Sequence, residues 1–302
     1  MLLADSPPPE LQTLTRGQYD LVEYALAGAG FALLAYALYS WTSRSEVGVR
    51  YRPAVMLGLC VGAVAALSYL LLFLRWGAGY DLTDAGYVPT DQARLALSPR
   101  YVDWSVTVPL LTAELLAVCS LAGARARKLR ASTMTAAFLM ILTGHLGAQV
   151  VGEGRDTTAL VLWGLVSTAF YGYLYVALIG AVRSSIPTIG REAAVSLRNA
   201  AIVLLATFGV YPLVYAVPVF VDVTAAWLTA IQLAYSAADV LAKVGFGVLV
   251  HKVAKLRTAE DVAAGVDTHP EAVWVSNVEH SRAVLPPAQP PAMATSPTTP
   301  TA

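Results

Sequence analysis

One apolar stretch, residues 100–118, has the sequence RYVDWSVTVPLLTAELLAV. It contains three charged side chains, those of Arg100, Asp103 and Glu114. If this stretch is a helix, Asp103, Thr107 and Glu114 fall within about 40° of one face, and the two carboxyls lie about 16 Å apart along the axis. A charge at membrane depth is costly, so each carboxyl needs a partner or a task. Two carboxyls on one inward-facing stripe are suited to passing a proton along it. The alternative is that they only hydrogen-bond a neighbouring helix or lie at a shallow position in a loop.

Lys243 lies in the middle of another apolar stretch, AYSAADVLAKVGFGVLV, one helical turn after Asp239. The other three lysines, at positions 128, 252 and 255, lie at the ends of apolar stretches. A bare ammonium in the middle of a span would be costly even beside a carboxylate. Condensation of this amine with an aldehyde would give a Schiff base, a linkage that can take part in proton transfer. A structural lysine–aspartate ion pair is the alternative.

The composition indicates a membrane protein. Of the 302 residues, 57% are hydrophobic and only 13% are charged, with a mean hydropathy of +0.59, whereas a soluble domain needs a charged surface. The net charge is zero, so we expect no nucleic acid partner. Cys60 and Cys119 both lie in apolar runs, which argues against a disulfide framework or a metal site.

Seven apolar stretches are long enough for helices that cross a hydrocarbon core of about 30 Å. They lie at roughly 19–41, 54–76, 100–122, 132–152, 158–182, 197–218 and 225–253. Backbone polar groups in lipid must be satisfied within the segment, so these stretches are predicted to be α-helices. The predicted fold class is therefore all-α: a seven-transmembrane-helix bundle, multi-pass in the cell membrane and surrounded by lipid.

Basic residues in the short connections predict the orientation of the bundle. The connections 42–53, 123–131 and 183–198 together hold most of the loop arginines and one lysine. The other connections are poorer in arginine and hold acidic residues, namely Asp81, Asp84, Asp91, Glu153 and Asp156. Because basic loops stay on the cytoplasmic side, we expect the N-terminus outside and the C-terminus in the cytoplasm.

The predicted membrane domain spans residues 19–254, and it is flanked by two segments without membrane helices. Residues 1–18 would form an extracellular N-terminal segment. Residues 255–302 become rich in proline, alanine and threonine, which predicts a disordered cytoplasmic tail that could contact a partner. Within the domain, the long 77–99 connection is predicted to form a hairpin cap on the outer face.

Aromatic side chains flank the same depth in the third and sixth spans: Trp104, Phe208, Tyr211 and Tyr215. Pro212 would kink the sixth span among them. Rings around a slender apolar cavity suit a conjugated polyene. Taken alone, however, such a stripe is also typical of ordinary core packing.

Motifs in three spans together resemble the microbial (type 1) rhodopsins. They are RYVDW, Thr, Pro-Leu-Leu and Glu in the third span, Tyr-Pro in the sixth and D…AKVGFG in the seventh. The resemblance covers about residues 19–254. It implies that Lys243 binds all-trans retinal as a protonated Schiff base, that Asp103 is the primary counterion and proton acceptor, and that Asp239 is the second counterion.

The same resemblance assigns further roles. Arg100 would steady both carboxylates and gate the outward route, and Glu114 would be the proton donor on the cytoplasmic side. Hydrogen bonds to the counterions would come from Tyr69, Tyr211 and Thr107. The other retinal contacts implied are Trp104, Leu111, Met140, Gly144, Ser167, Phe208, Pro212 and Tyr215. Leu111 is typical of green-absorbing pigments.

Some positions depart from the family pattern. Phe208 and Tyr215 stand where tryptophans are usual, and Ser68 stands where many relatives with the Asp–Thr–Glu triplet carry a histidine. Ile231 replaces one of the outer glutamates of the archaeal pumps. Gly164 stands where a bulky tryptophan is common; in xanthorhodopsin-like members such a glycine opens a window for a carotenoid antenna, but a helix-packing role explains it as well.

The Asp–Thr–Glu triplet is similar to that of the proteorhodopsin and xanthorhodopsin group of outward pumps. The sequence therefore predicts a light-driven outward proton pump, not an enzyme, that assembles as a homo-oligomer. The main alternative is a slow-cycling photosensor of the same fold with little net transport. A seven-helix receptor or transporter without photochemistry is an alternative from another class, and failure to form a coloured pigment with retinal would favour it.

Overall fold

The computed structural model describes residues 11–93 and 96–284, and its described part consists mainly of long helices. The helices are α1 (Arg16–Thr42), α2 (Arg52–Ala78), α3 (Pro99–Ala117), α4 (Gly123–His145), α5 (Thr157–Ser185), α6 (Arg191–Phe208), α7 (Val210–Phe220), α8 (Ala225–Val240) and α9 (Phe246–Ala263). The strands are β1 (Tyr80–Thr83), β2 (Gly86–Pro89), β3 (Val273–Val275) and β4 (Val278–Ser281). Short 3₁₀ turns cover Arg44–Glu46, Val151–Gly154 and Ile186–Thr188.

The described residues contain six helical segments that are long and apolar enough to cross a membrane. They are Arg16–Thr42, Arg52–Ala78, Gly123–Val150, Thr157–Thr188, Arg191–Phe220 and Ala225–Ala263. The helix α3 has 19 residues and packs between α2 and α4, but it carries Arg100, Asp103 and Glu114. With α3, the arrangement follows the seven predicted stretches.

The sixth and seventh of the predicted spans are each interrupted near the middle. The sixth is divided into α6 and α7 at Gly209, because Pro212 lacks an amide hydrogen and its ring crowds the carbonyl four residues earlier. The seventh is divided into α8 and α9 by a π-helical turn, Leu241–Gly245, which contains Lys243. Such turns insert an extra residue and are frequent at functional sites.

The predicted hairpin in the 77–99 connection is confirmed. Strands β1 and β2 pair antiparallel from Tyr80↔Pro89 to Thr83↔Gly86. Leu14 pairs with Tyr87 across the edge of β2, and the ring of Tyr19 stacks on that of Tyr87 at 3.7 Å. We call this end of the bundle the β1–β2 face.

At the opposite end, which we call the β3–β4 face, the structure differs from the prediction of a tail without structure from residue 255. Helix α9 continues to Ala263, and strands β3 and β4 form a hairpin. Val275 of this hairpin packs with Leu256 and Ala193, so tertiary burial orders a segment of low mean hydropathy. Residues 285–302 of the predicted tail lie outside the described residues.

Polar contacts join this C-terminal segment to the helix connections. The carbonyl oxygen of Ser45 lies 3.0 Å from Nε2 of His269, and the Lys255 ammonium lies 2.8 Å from a carboxylate oxygen of Glu46. On the α5–α6 side, the Gly190 amide donates to Glu260. The connections on the β3–β4 face are thus held by the end of α9 and the chain that follows it.

The basic segment 123–131, predicted to be a connection, is instead the first part of α4. Its sequence GARARKLRA is rich in alanine, arginine and lysine, which are strong helix formers. The arginine and lysine side chains in this first part are all exposed. A hydropathy window ends a span at such residues, although the helix continues beyond the lipid.

Gly86 should tolerate no side chain. Its φ is +111°, and a Cβ atom there would lie 2.5 Å from the carbonyl oxygen of Leu14. We expect Gly86→Ala to lower the free energy of unfolding by about 1–3 kcal/mol, because it adds backbone strain and a clash. Thermal unfolding in detergent measures this. Gly265→Ala is the control, since Gly265 has a φ of +67° and open space around it; an equal loss in both variants would contradict the clash.

Candidate functional site

Four charged side chains meet in the interior of the bundle, and two are cations and two are anions. The Lys243 amine lies 2.6 Å from Oδ1 of Asp239 and 3.0 Å from Oδ2 of Asp103. Arg100 completes the set, with Nη1 3.4 Å from Oδ2 of Asp239. None of the four residues is more than 2% exposed. Burial of these charges is tolerable only because they compensate one another and are hydrogen-bonded.

Asp239 is the centre of this cluster. Besides Lys243, its Oδ1 accepts hydrogen bonds from Tyr211 at 2.8 Å and from the indole of Trp104 at 3.0 Å. Its Oδ2 accepts from Tyr69 at 2.8 Å and from Arg100. The α8 helix and the π-helical turn place Asp239 and Lys243 on one side, where α2, α3 and α7 supply the donors. The carboxylate is fixed from every side.

Arg100 is oriented toward Asp239 and not toward Asp103. Its Nη1 donates to the Tyr69 hydroxyl at 2.9 Å, and its Nη2 donates to Oε1 of Gln232 at 3.1 Å. No contact between Arg100 and Asp103 is found among the described residues. Of the two carboxylates, Arg100 hydrogen-bonds Asp239 directly, while Gln232 of α8 accepts from its other terminal nitrogen. The role of Arg100 in steadying Asp103 stays a prediction. Gln232 was not predicted; its place two turns before Asp239 on α8 was the available signal.

Asp103 has few partners by comparison. Its Oδ2 contacts Lys243, and its Oδ1 has no hydrogen-bond partner within the described part of the chain. Thr107, one turn later, donates to the Asp103 backbone carbonyl at 3.0 Å. The Ser68 hydroxyl, at the position where relatives carry a histidine, donates to the Pro99 carbonyl. Asp103 therefore keeps an oxygen available to accept a proton.

Glu114 lies further along α3, toward the β3–β4 face, and is 1% exposed. Its Oε1 accepts a hydrogen bond from the Tyr36 hydroxyl at 3.3 Å. Its Oε2 has no partner among the residues that the structure describes. Tyr36 was not predicted, because a tyrosine within an apolar stretch is most often a packing residue.

A cavity of about 320 Å³ lies between α3, α4, α5, α7 and α8. This volume is within the range of about 300–1,000 Å³ typical of small-molecule sites. Its lining is mostly apolar and aromatic. Trp104 and Tyr211 line it and also donate to Asp239, so the cavity reaches the layer of side chains that surrounds the Lys243 amine.

Most of the predicted retinal contacts line this cavity. They are Trp104, Met140, Gly144, Ser167, Phe208, Tyr211, Pro212 and Tyr215. Leu111 and Tyr69 are not among its lining residues: Leu111 is buried in the core, and Tyr69 belongs to the ion cluster. Tyr101, Tyr171 and Tyr235 also line the cavity and were not predicted; they follow the same helix faces as the predicted residues.

The space beside Gly164 is filled by the ring of Tyr215. A Cβ atom at Gly164 would lie 2.8 Å from the ring of Tyr215, and the Tyr215 hydroxyl donates to the Leu160 carbonyl at 3.0 Å. The side chain missing at Gly164 is thus compensated by an aromatic residue on α7. This contact favours the helix-packing interpretation of the glycine.

Comparison with known proteins identifies the family. Residues 21–256 match the sequence profile described as bacteriorhodopsin-like protein. This chain is a microbial rhodopsin. It is 34% identical to xanthorhodopsin, described as a light-driven ion pump with dual chromophore, with a TM-score of 0.75 over 83% of this chain and 99% of that one. A thermophilic rhodopsin is 32% identical, with a TM-score of 0.76 and the same coverage.

The chain is also similar in sequence to a relative that is named as a sensory rhodopsin. Sensory rhodopsin-2 of Natronomonas pharaonis is 29% identical over 252 residues, which is 82% of this chain and 95% of the relative. The family therefore contains both pumps and sensors, and it binds retinal. With its family and its apolar helices established, this rhodopsin is a multi-pass membrane protein.

Loss of the Asp239 carboxylate should destabilise this rhodopsin more than loss of the Asp103 carboxylate. Asp239→Ala removes the partner of two buried cations and three neutral donors, so we expect a loss of about 3–5 kcal/mol in unfolding free energy. Asp103→Ala removes a carboxylate that pairs with Lys243 but, among the described residues, not with Arg100, and should cost less. Thermal unfolding in detergent checks this, with Asp81→Ala in the exposed hairpin as control. Equal losses for Asp239→Ala and Asp103→Ala would contradict the asymmetry.

Proposed function

We propose that this rhodopsin binds all-trans retinal through Lys243 and moves protons outward across the membrane in light. The observation that supports this most directly is the placement of two carboxyls along α3. Asp103 is 3.0 Å from the Lys243 amine, and the buried Glu114 follows three turns later on the same helix. An acceptor beside the amine and a second carboxyl on the other side are what one-way transfer requires.

The residues present fit the proposed cofactor. Lys243 offers a buried primary amine, and the adjacent apolar cavity, lined by aromatic rings, is suited to a polyene. Retinal joined to Lys243 would supply light absorption and a change of shape that turns the N–H away from its partners. The ion cluster would hold a positive charge on that nitrogen in the dark, with Asp239 fixed by its five donors.

Asp103 is suited to accept the proton. Its Oδ1 has no partner among the described residues, so a proton can bind there without breaking a hydrogen bond. Asp239 is unsuited, because hydrogen bonds to both oxygens favour its ionised form. Arg100, held on the Asp239 side by Gln232 and Tyr69, would direct the released proton toward the β1–β2 face.

Glu114 is suited to return a proton to the nitrogen from the opposite side. It is buried in α3 and its carboxyl has a single hydrogen bond, from Tyr36, among the described residues. A carboxyl in such surroundings holds a proton until a basic group becomes available. Transfer from Glu114 after transfer to Asp103 makes the direction of transport from the β3–β4 face to the β1–β2 face.

The orientation proposed follows from the charges on the two faces. The β3–β4 face carries the basic connection 43–51 and the basic first part of α4, 123–131. The β1–β2 face carries Asp81, Asp84 and Asp91. Because basic segments favour the cytoplasmic side, the β3–β4 face is proposed to be cytoplasmic, and transport toward the β1–β2 face is outward.

A slow-cycling photosensor is the second candidate. Two observations favour it: the similarity to sensory rhodopsin-2 and the ordered β3–β4 segment, which gives the proposed cytoplasmic face a surface that a partner could bind. Recovery over seconds or longer without a change of pH would support sensing. The carotenoid antenna beside Gly164, the homo-oligomer and the green absorption stay predictions.

Replacement of Lys243 should abolish pigment formation. Lys243→Ala removes the buried amine, so we expect no visible absorption band after addition of all-trans retinal, whereas Lys252→Ala should form pigment normally, because Lys252 is 34% exposed and pairs with Glu192. Absorption spectroscopy of the purified proteins is the measurement. Colour in Lys243→Ala through another lysine would contradict the assignment.

Illumination of cells that contain the pigment should acidify the medium, and a protonophore should abolish the signal. We expect Asp103→Asn to eliminate this acidification, because it removes the acceptor.

Glu114→Gln should slow the reprotonation of the pigment by about 10²-fold or more, since a positioned proton donor contributes that much. Flash photolysis with a pH-sensitive dye measures both steps. A wild-type pigment that cycles slowly with no proton release would favour the sensor.

A further inference from the structure

The phenol of Tyr36 is buried in the bundle beside Glu114. Tyr36 belongs to α1 and is only 4% exposed, and its hydroxyl lies 3.3 Å from Oε1 of Glu114 on α3. A tyrosine in a membrane helix ordinarily turns its polar end toward the aqueous boundary. Here the hydroxyl is directed inward and meets a carboxyl.

Two glycines leave the space for this phenol. A Cβ atom at Gly58 of α2 would clash with the Tyr36 hydroxyl and would lie 3.0 Å from Oε1 of Glu114. A Cβ atom at Gly247 of α9 would overlap the phenol itself. The phenol of Tyr36 on α1 thus lies in a slot between Gly58 of α2 and Gly247 of α9. This slot directs its hydroxyl toward Glu114. We call this the Tyr36 slot.

The hydrogen bond determines which oxygen of Glu114 can carry a proton. Because the phenol donates to Oε1, the proton of a neutral carboxyl resides on Oε2, the oxygen without a partner in the described part of the chain. No protein group there competes for that proton. Once the proton has left, the same phenol donates to a carboxylate, and a hydrogen bond to a charged acceptor is stronger than one to a neutral acceptor.

We propose that Tyr36 is a positioning residue for the Glu114 proton: its hydroxyl orients the neutral carboxyl for donation and stabilises the carboxylate that donation leaves behind. The proposal rests on the proposed function, since it takes Glu114 as the group that reprotonates the pigment. It adds a residue of α1, a helix from which no described residue hydrogen-bonds the four charged side chains around the Lys243 amine.

The decisive variant is Tyr36→Phe, which keeps the ring and removes the hydroxyl. We expect reprotonation of the pigment after a flash to slow by about ten-fold or more, because a hydrogen bond to a charged group is lost from the product of donation. We also expect the carboxyl C=O stretch of Glu114 to shift in the dark protein, where the band is isolated by subtracting the infrared spectrum of Glu114→Gln. Tyr24→Phe is the matched control, since Tyr24 lies on the same helix and is 78% exposed.

The Tyr36 slot offers a rescue that a purely structural role would not predict. In the double variant Tyr36→Phe/Gly58→Ser, loss of the phenol hydroxyl removes the severest clash of a Cβ atom at position 58, and the ring carbon that carried it lies 3.2 Å from that atom. Because that Cβ atom would lie 3.0 Å from Oε1 of Glu114, we expect the serine hydroxyl to reach the carboxyl in place of the phenol. We expect the double variant to recover most of the reprotonation rate and to move the carbonyl band back toward its original frequency.

The outcomes separate this proposal from the proposed function. If Glu114→Gln leaves reprotonation unchanged, Glu114 is not the proton donor. That result rejects the donor step of the proposed function together with the role of Tyr36. If Glu114→Gln slows reprotonation but Tyr36→Phe changes neither the rate nor the band, only the role of Tyr36 is rejected. Slowing without a band shift or without rescue also rejects it, as a structural effect.

A dark absorption spectrum first establishes that each variant forms pigment. Should Tyr36→Phe form none, Gly58→Ala takes its place, because the added methyl group pushes the phenol hydroxyl away from Glu114. The same slowing and the same kind of band shift are then expected, and unchanged values overturn the proposal.

Discussion

The arrangement of this rhodopsin depends on the burial of four charges, those of the Lys243 amine and of the three charged side chains around it. An isolated charge in an apolar interior would be prohibitively costly, so Lys243, Arg100, Asp103 and Asp239 must stay together and compensate one another. The π-helical turn at Lys243, the tyrosines of α2 and α7 and the indole of α3 all serve this one requirement. The compensation is uneven, with Asp239 fully hydrogen-bonded and Asp103 poorly so. In the proposed function, that difference suits Asp239 to hold the cluster in place and Asp103 to accept a proton.

The helical stretches and the central lysine–aspartate pair could be predicted because their signals are local. Hydropathy over about 20 residues and the cost of a charge in lipid need no knowledge of neighbours. The rest depends on contacts between distant residues. Arg100 on α3 is held by Gln232 as well as by Asp239, both on α8, and the β3–β4 hairpin is ordered by packing against α6 and α9. The beginning of α4 was missed because helices continue into water where hydropathy falls.

Substitutions within the cavity compensate one another across facing helices. Tyr215, at a position where the family usually has tryptophan, fills the space that Gly164 leaves open, so bulk lost on α5 is supplied by α7. The Tyr36 slot follows the same rule, with glycines of α2 and α9 accommodating a ring from α1. Protein interiors are close-packed, so a change at one position is read correctly only together with the residue that faces it. Single positions compared with a family pattern do not reveal such exchanges.

The seventh span has a mechanical consequence. Residues Ala225–Ala263 form one nearly continuous rod of 39 residues, about 58 Å long, whereas the hydrocarbon layer is about 30 Å thick. Lys243 stands near the midpoint of this rod, and its far end is tied to the α1–α2 connection through Lys255 and to the α5–α6 connection through Glu260. A small tilt or twist at the midpoint would therefore move both connections. In this way the rod would couple the membrane interior to the aqueous surface.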